Sequence, residues 1–148
     1  MFRSLLPRLL GDAPPETALS HEDAEVAIAA LMVRIARADH HYGKDERAHI
    51  DALLARRRSL SPADAADRRA AAEMIEAEAP DTVRFTRLVK DRVAPEDRAA
   101  IIHAMWQVAL VDNHRHTHEE SAIRLVSSLL GVPDRESAIQ RQRIAAAR

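Results

Sequence analysis

Two carboxylate pairs are the residues in this 148-residue chain best placed to do chemistry: Asp39 with Glu46, and Asp112 with Glu119. Members of each pair stand seven residues apart (46 − 39 and 119 − 112), across a turn predicted between two helices. The acids end and begin apolar stripes. Ile28, Leu31, Met32 and Ile35 recur at helical spacing and lead to Asp39, while Glu46 leads into Ile50 and Leu53. Ile101, Met105, Val108 and Asp112, followed by Glu119, Ile123, Val126 and Leu130, repeat the arrangement. The acids of a pair should therefore meet on the inward side of their turn, where a carboxylate needs a partner because an unpaired buried charge is costly. One such partner is a divalent cation (calcium, magnesium or zinc) shared between the two acids and turn carbonyls. The other is the backbone itself: Glu46 stands where a glutamate at the third helical position reaches back to the free amides of its own helix, and Asp39 could bond the same turn. Neither turn is an EF-hand, since the twelve-residue loop of alternating acids around a central glycine is absent.

Histidines crowd the same turns, His40 and His41 in the first and His114, His116 and His118 in the second. Imidazole suits zinc, nickel or copper, but alternating histidines on a loop, without a ligand fixed elsewhere, are more often solvated. Enzyme motifs are incomplete. Asp39-His40-His41 spells the motif of a phosphoesterase family that needs a parallel sheet with further aspartates at strand ends, and this chain offers no strands. Glu46-Arg47-Ala48-His49 has the spacing of half a ferritin-like di-iron site, yet the second turn carries Ala122 where its histidine should be. No glycine-rich phosphate loop occurs, and no serine stands in a nucleophile elbow. The favoured reading is a non-enzymatic binding or scaffold domain. The alternatives are a metal-dependent hydrolase using the histidine and carboxylate turns, or a purely structural adaptor whose acids only cap helices.

The elements that must position these acids are helices, about seven of them, punctuated by prolines and capping residues. Ser20 with Asp23 caps a helix from about His21 to Asp39, and a second runs from about Lys44 to Arg58. Ser61, Pro62 and Asp64 open a third. Asp81 or Thr82 begins one reaching Arg92, Pro95 one reaching Asp112, and Thr117 one that Gly131 ends. Asp134 caps a last, fraying helix rich in arginine and glutamine. Sliding the chain by 73 residues (112 − 39) lays Ala27, Ile28, Met32, Ala36, His41 and Ile50 on Ala100, Ile101, Met105, Ala109, His114 and Ile123. The expected fold class is all-α: a compact bundle with two pseudo-two-fold-related antiparallel hairpins, and residues 59–94 between them. Trp106, one position after the repeated Met105, is expected in or beside the groove between the hairpins.

Composition agrees and excludes several classes. The 22 basic and 23 acidic residues leave a formal charge of −1, which rules out a dominant attraction to nucleic acid or anionic lipid. Absence of cysteine excludes disulfides, thiolate zinc sites, iron–sulfur clusters and cysteine nucleophiles, and makes the cytoplasm the easiest compartment. With three glycines, four aromatic residues and abundant alanine, the chain favours helices over strands. No apolar run approaches the roughly 20 residues of a membrane span. In residues 1–10, Phe2, Leu5, Leu6, Leu9 and Leu10 alternate with Arg3 and Arg8 and lack a small-residue cleavage site. That segment reads as a short helix docked on the domain or as a foot on the inner-membrane surface. With the linker from Gly11 to Pro15 it forms residues 1–15, ahead of a helical domain over 16–148.

The two turns, the segment Phe85-Thr86-Arg87-Leu88-Val89 and the run from Ala104-Met105-Trp106 to Leu129-Leu130-Gly131-Val132 resemble the tellurite-resistance protein B (TerB) family over about residues 23–140. Its hallmark is a twice-used alanine, any residue, alanine, aspartate, glycine, then a glutamate six residues on. Ala36-Arg37-Ala38-Asp39 with Glu46 keeps the first copy, and Ala109, Asp112 and Glu119 keep the second. The family glycine is replaced by His40 and Asn113, residues that tolerate a left-handed turn better than most. Gly43 and His116 stand where many relatives carry a polar or acidic residue, which removes one oxygen ligand per turn. The resemblance implies a compact helical domain without established catalysis. It also implies a role in tellurite and chemical-stress response, exerted through divalent-metal binding and membrane-associated protein partners.

Overall fold

The computed structural model describes residues 21–38, 42–78, 82–110 and 117–147, which hold seven α-helices and no strand. They are α1 (His21–Arg37), α2 (Lys44–Arg58), α3 (Pro62–Glu78), α4 (Thr82–Arg92), α5 (Pro95–Ala109), α6 (Thr117–Leu130) and α7 (Asp134–Ala146). The expected all-α bundle is the observed fold. Residues 1–20, and with them the expected amphipathic segment, the linker and the Ser20 cap, lie outside the described residues.

The bundle is built around α1. Every residue from Val26 to Val33, then Ile35 and Ala36, is buried, so this helix is covered on all sides rather than along the single stripe of Ile28, Leu31, Met32 and Ile35. Alanine makes that possible. Ala27, Ala29 and Ala30 occupy the remaining faces and let α3, α4 and α5 approach closely. The stripe residues of the other helices point inward as expected: Ile50 and Leu53 on α2, Ile101, Met105 and Val108 on α5, and Ile123 and Val126 on α6 are all buried.

Punctuation explains the boundaries. Pro62 and Pro95 occupy first-turn positions, where no intrahelical bond is lost, and Ser61 Oγ accepts the Asp64 amide at 3.1 Å. Both α2 and α6 end on a residue in the left-handed region, Ser59 at φ 55° and Gly131 at φ 76°. In each case the next amide closes the end: Leu60 N–H on Ala55 O at 3.0 Å, and Val132 N–H on Ser127 O at 2.8 Å. α5 ends at Ala109, short of Asp112. Asp134 is the first residue of α7 rather than its cap, a position held by Pro133.

The last helix differs from expectation. α7 is not a frayed end but packs extensively on α5, and its buried positions are polar, Ser137 and Gln140. Each is buried because it satisfies a partner: Trp106 Nε1–H donates to Ser137 Oγ at 2.9 Å, and His103 bonds Gln140 Oε1 at 2.9 Å. Trp106 is accordingly buried, packed against α7 and beneath the Arg141 guanidinium at 5.0 Å. An indole N–H taken from water needs an acceptor, and Ser137 supplies it.

Candidate functional site

The ends of both helical pairs are clasped by arginine, which fixes their direction. Glu25, near the start of α1, is 5% exposed and accepts from Arg57 Nε at 3.0 Å and Arg58 Nη2 at 2.6 Å, both at the end of α2. In the second pair Arg98, in the first turn of α5, donates through Nη1 to Leu130 O at the end of α6 at 3.4 Å. Start meets end in each pair, so α1/α2 and α5/α6 are antiparallel hairpins. The turns carrying the candidate acids lie at the opposite ends of these hairpins.

Asp39, His40 and His41 of the first turn lie outside the described residues, so the structure leaves the approach of Asp39 to Glu46 undescribed. Glu46 is the third residue of α2, and its Oε2 accepts the amide of Gly43, the residue before the helix, at 3.0 Å. This is the half of a capping box that a glycine leaves available. A Cβ on Gly43 would stand 3.1 Å from that same carboxylate oxygen, so the glycine leaves room for the bond. Tyr42 lies beside it, its ring between the guanidiniums of Arg37 at 4.9 Å and Arg47 at 5.2 Å. Behind the ring a charge lattice ties the turn to α3. Arg37 Nη1 meets Glu76 Oε2 at 2.8 Å, Arg47 Nε lies 3.8 Å from Glu73, and Arg69 bridges Glu73 and Asp51. Burial, and then the Glu73 carboxylate, push the Tyr42 phenol up to about 12, against the opposing pull of Arg69, Arg37 and Arg47.

In the second turn Asp112, Asn113, His114 and His116 likewise lie outside the described residues. Glu119 is the third residue of α6, the register Glu46 holds in α2, and is 5% exposed where Glu46 is only half-buried. Its neighbour Glu120 is taken by Arg141 at 2.8 Å. The first turn has guanidiniums stacked beside it, whereas around the second a glutamate is buried at the helix start. Among the described residues no three Asp, Glu or His side chains converge to hold an ion.

His49, noted above only as part of an incomplete di-iron motif, has a structural duty: its Nε2–H donates to Gln107 O at 2.8 Å, in the last turn of α5. The Arg57–Arg58–Glu25 clamp was not legible as a site, because three consecutive arginines at a helix end read as a solvated face satisfying the macrodipole.

The family model "Tellurite resistance protein TerB" matches residues 25–142. That span contains every helix from the body of α1 through most of α7, and the chain belongs to the TerB family. No curated protein and no solved structure matches it. No helix among the described residues is long and apolar enough to cross a membrane.

Proposed function

We propose that this chain is a non-enzymatic binding or scaffold domain, acting in tellurite or chemical-stress response, that takes a divalent cation at Asp39–Glu46 and at Asp112–Glu119. The observation that carries this reading is the register shared by Glu46 and Glu119, each the third residue of its helix, immediately after the turn that holds Asp39 or Asp112. Calcium, magnesium or zinc would take oxygen ligands from the two acids of each pair and from turn carbonyls. In this reading the partner is a protein, met at the membrane surface.

A second reading has its own observation. Glu46 already accepts the Gly43 amide, so the acids of a purely structural adaptor would only cap their helices. Metal-dependent melting separates the two. In a His114→Gln/His116→Gln/His118→Gln background, which removes zinc binding by the loop histidines, added calcium, magnesium or zinc should raise Tm through binding to the folded state. Asp39→Asn and Asp112→Asn should each abolish the gain of its own turn. A cost of about 0.5–2 kcal/mol from Asp39→Ala or Asp112→Ala, equal with and without metal, would instead assign the acids to capping.

A further inference from the structure

A second concave site lies where α2, α5 and α7 meet. It is a cavity of about 280 Å³, close to the lower bound of ~300 Å³ typical of ligand pockets. Its walls carry two imidazoles, His49 and His103, and two guanidiniums, Arg56 and Arg143, over an apolar floor that includes Leu53 and Ile144. No Asp or Glu is among the described residues lining it.

The two arginines are set apart from their neighbours. On α2 itself Arg47, Arg57 and Arg58 are each paired with a glutamate, whereas Arg56 makes no ion pair or hydrogen bond among the described residues. Arg143 on α7 likewise has none, while Arg141 one turn earlier is paired with Glu120. Two arginines lining one cavity, with no acid among its described lining residues, favour an anion there. Their planar forks match a carboxylate in two-point geometry.

Both imidazoles are held by one edge. A backbone carbonyl only accepts, so the Nε2 of His49 carries the proton in its bond to Gln107 O at 2.8 Å. Gln140 Nε2 donates to Glu136 Oε1 at 2.8 Å, which fixes the amide so that its oxygen faces His103, and Nδ1 of His103 donates to it at 2.9 Å. The rings are thereby preorganised as walls, with the second nitrogen of each unspent in these bonds.

We propose that the cavity between α2, α5 and α7 binds a small amphipathic carboxylate, its head group held by Arg56 and Arg143 and its apolar body on Leu53 and Ile144 between the two imidazoles. The cavity has room for on the order of ten water-sized groups at ~30 Å³ each, about the size of octanoate. This site does not depend on metal at the turns.

Titration of the full chain with octanoate, followed by the imidazole NMR signals of His49 and His103 and assigned through His49→Gln and His103→Gln, tests the proposal. The expected result is a saturable shift of both signals, with octan-1-ol binding at least tenfold more weakly. Arg56→Gln/Arg143→Gln should weaken octanoate at least tenfold and leave octanol unchanged. Absence of a saturable shift at these histidines would overturn the proposal, as would equal binding of octanol and octanoate, or full affinity in the folded double variant. The octanol comparison uses the unaltered chain, so it decides the role of the head group even if the double variant fails to fold.

Discussion

Replacing both Arg57 and Arg58 with alanine should leave the carboxylate of Glu25 buried and uncompensated. Glu25 is 5% exposed and accepts from Arg58 at 2.6 Å and from Arg57 at 3.0 and 3.5 Å. Breaking a buried pair from one side typically costs about 3–5 kcal/mol, because the remaining charge has lost its partner. For a chain of this length that corresponds to a fall in Tm of about 6–20 °C, at roughly 2–4 °C per kcal/mol. Each single substitution should cost well under half of the double, since the other guanidinium remains, and Arg58 at 43% exposure is partly screened by solvent. Adding Glu25→Gln to the double variant removes the orphaned charge and should restore part of the loss.

The same clamp sets a pH signature. Burial alone would raise the Glu25 carboxyl, but hydrogen bonds from Arg58 and Arg57, with their charges, overcome it and hold the group below its ordinary 4.5. A folded-state value below the unfolded one contributes stability that is complete above about pH 4.5 and is lost as pH falls through the lowered folded value. In the double variant burial is unopposed, so the shift reverses and acid favours the folded form relative to neutral pH. The gap between wild type and Arg57→Ala/Arg58→Ala, measured by denaturant melts across the acid range, should therefore be widest near neutrality and close on acidification. A double variant within about 1 kcal/mol of wild type at pH 7, or a gap independent of pH, would refute the assignment of Glu25 as a buried, arginine-compensated carboxylate.

Other consequences are open to direct measurement. Tyr42 is the only tyrosine, so ultraviolet titration of the folded chain should show one phenol ionising near 12, and a midpoint at the ordinary 10 would place that hydroxyl in water. Ser59 holds a left-handed conformation that glycine adopts without strain, so Ser59→Gly should stabilise by about 0.5–1 kcal/mol in thermal melts, while Gly131→Ala should cost about 1 kcal/mol or more. Trp106 should emit at blue-shifted wavelength, and Ser137→Ala, which orphans its N–H, should cost about 1–3 kcal/mol; a water-like spectrum in the folded chain would contradict its burial.

The parts of the fold that were legible in the sequence are those where one residue type has one mechanical use. Pro62 and Pro95 at helix starts, Ser61 as an N-cap and Gly131 in the left-handed region each follow from backbone geometry alone. What escaped notice depends on neighbours distant in sequence. The burial of Ser137 and Gln140 exists because Trp106 and His103, over thirty residues earlier, need acceptors, so α7 has no apolar stripe to betray it. Ser59 gives no local warning of its positive φ. For the candidate acids, position on the helix was legible and environment was not. The third-residue register of Glu46 and Glu119 follows from the sequence, while the burial of one and the Gly43 bond of the other come from the surrounding packing.

The hairpin clasps bear on the suspected duplication through positions that sequence matching does not weigh. Glu25 and Arg98 are separated by 73 residues (98 − 25), as are Arg57 and Leu130 (130 − 57), the same offset that aligns the two carboxylate turns. Equivalent positions thus close both hairpins, but with donor and acceptor exchanged: the first helix accepts in one hairpin and donates in the other. No residue identity survives at these positions, and they add nothing to a sequence score. The requirement that does persist is physical. The second helix of each hairpin must be tied at its C-terminal end to the start of the first, either through its arginines or through its last carbonyls, so that the two helices stay antiparallel. The acids at positions 46 and 119 then occupy the same register at both turns while standing in different electrostatic surroundings, arginine-flanked in one and buried in the other.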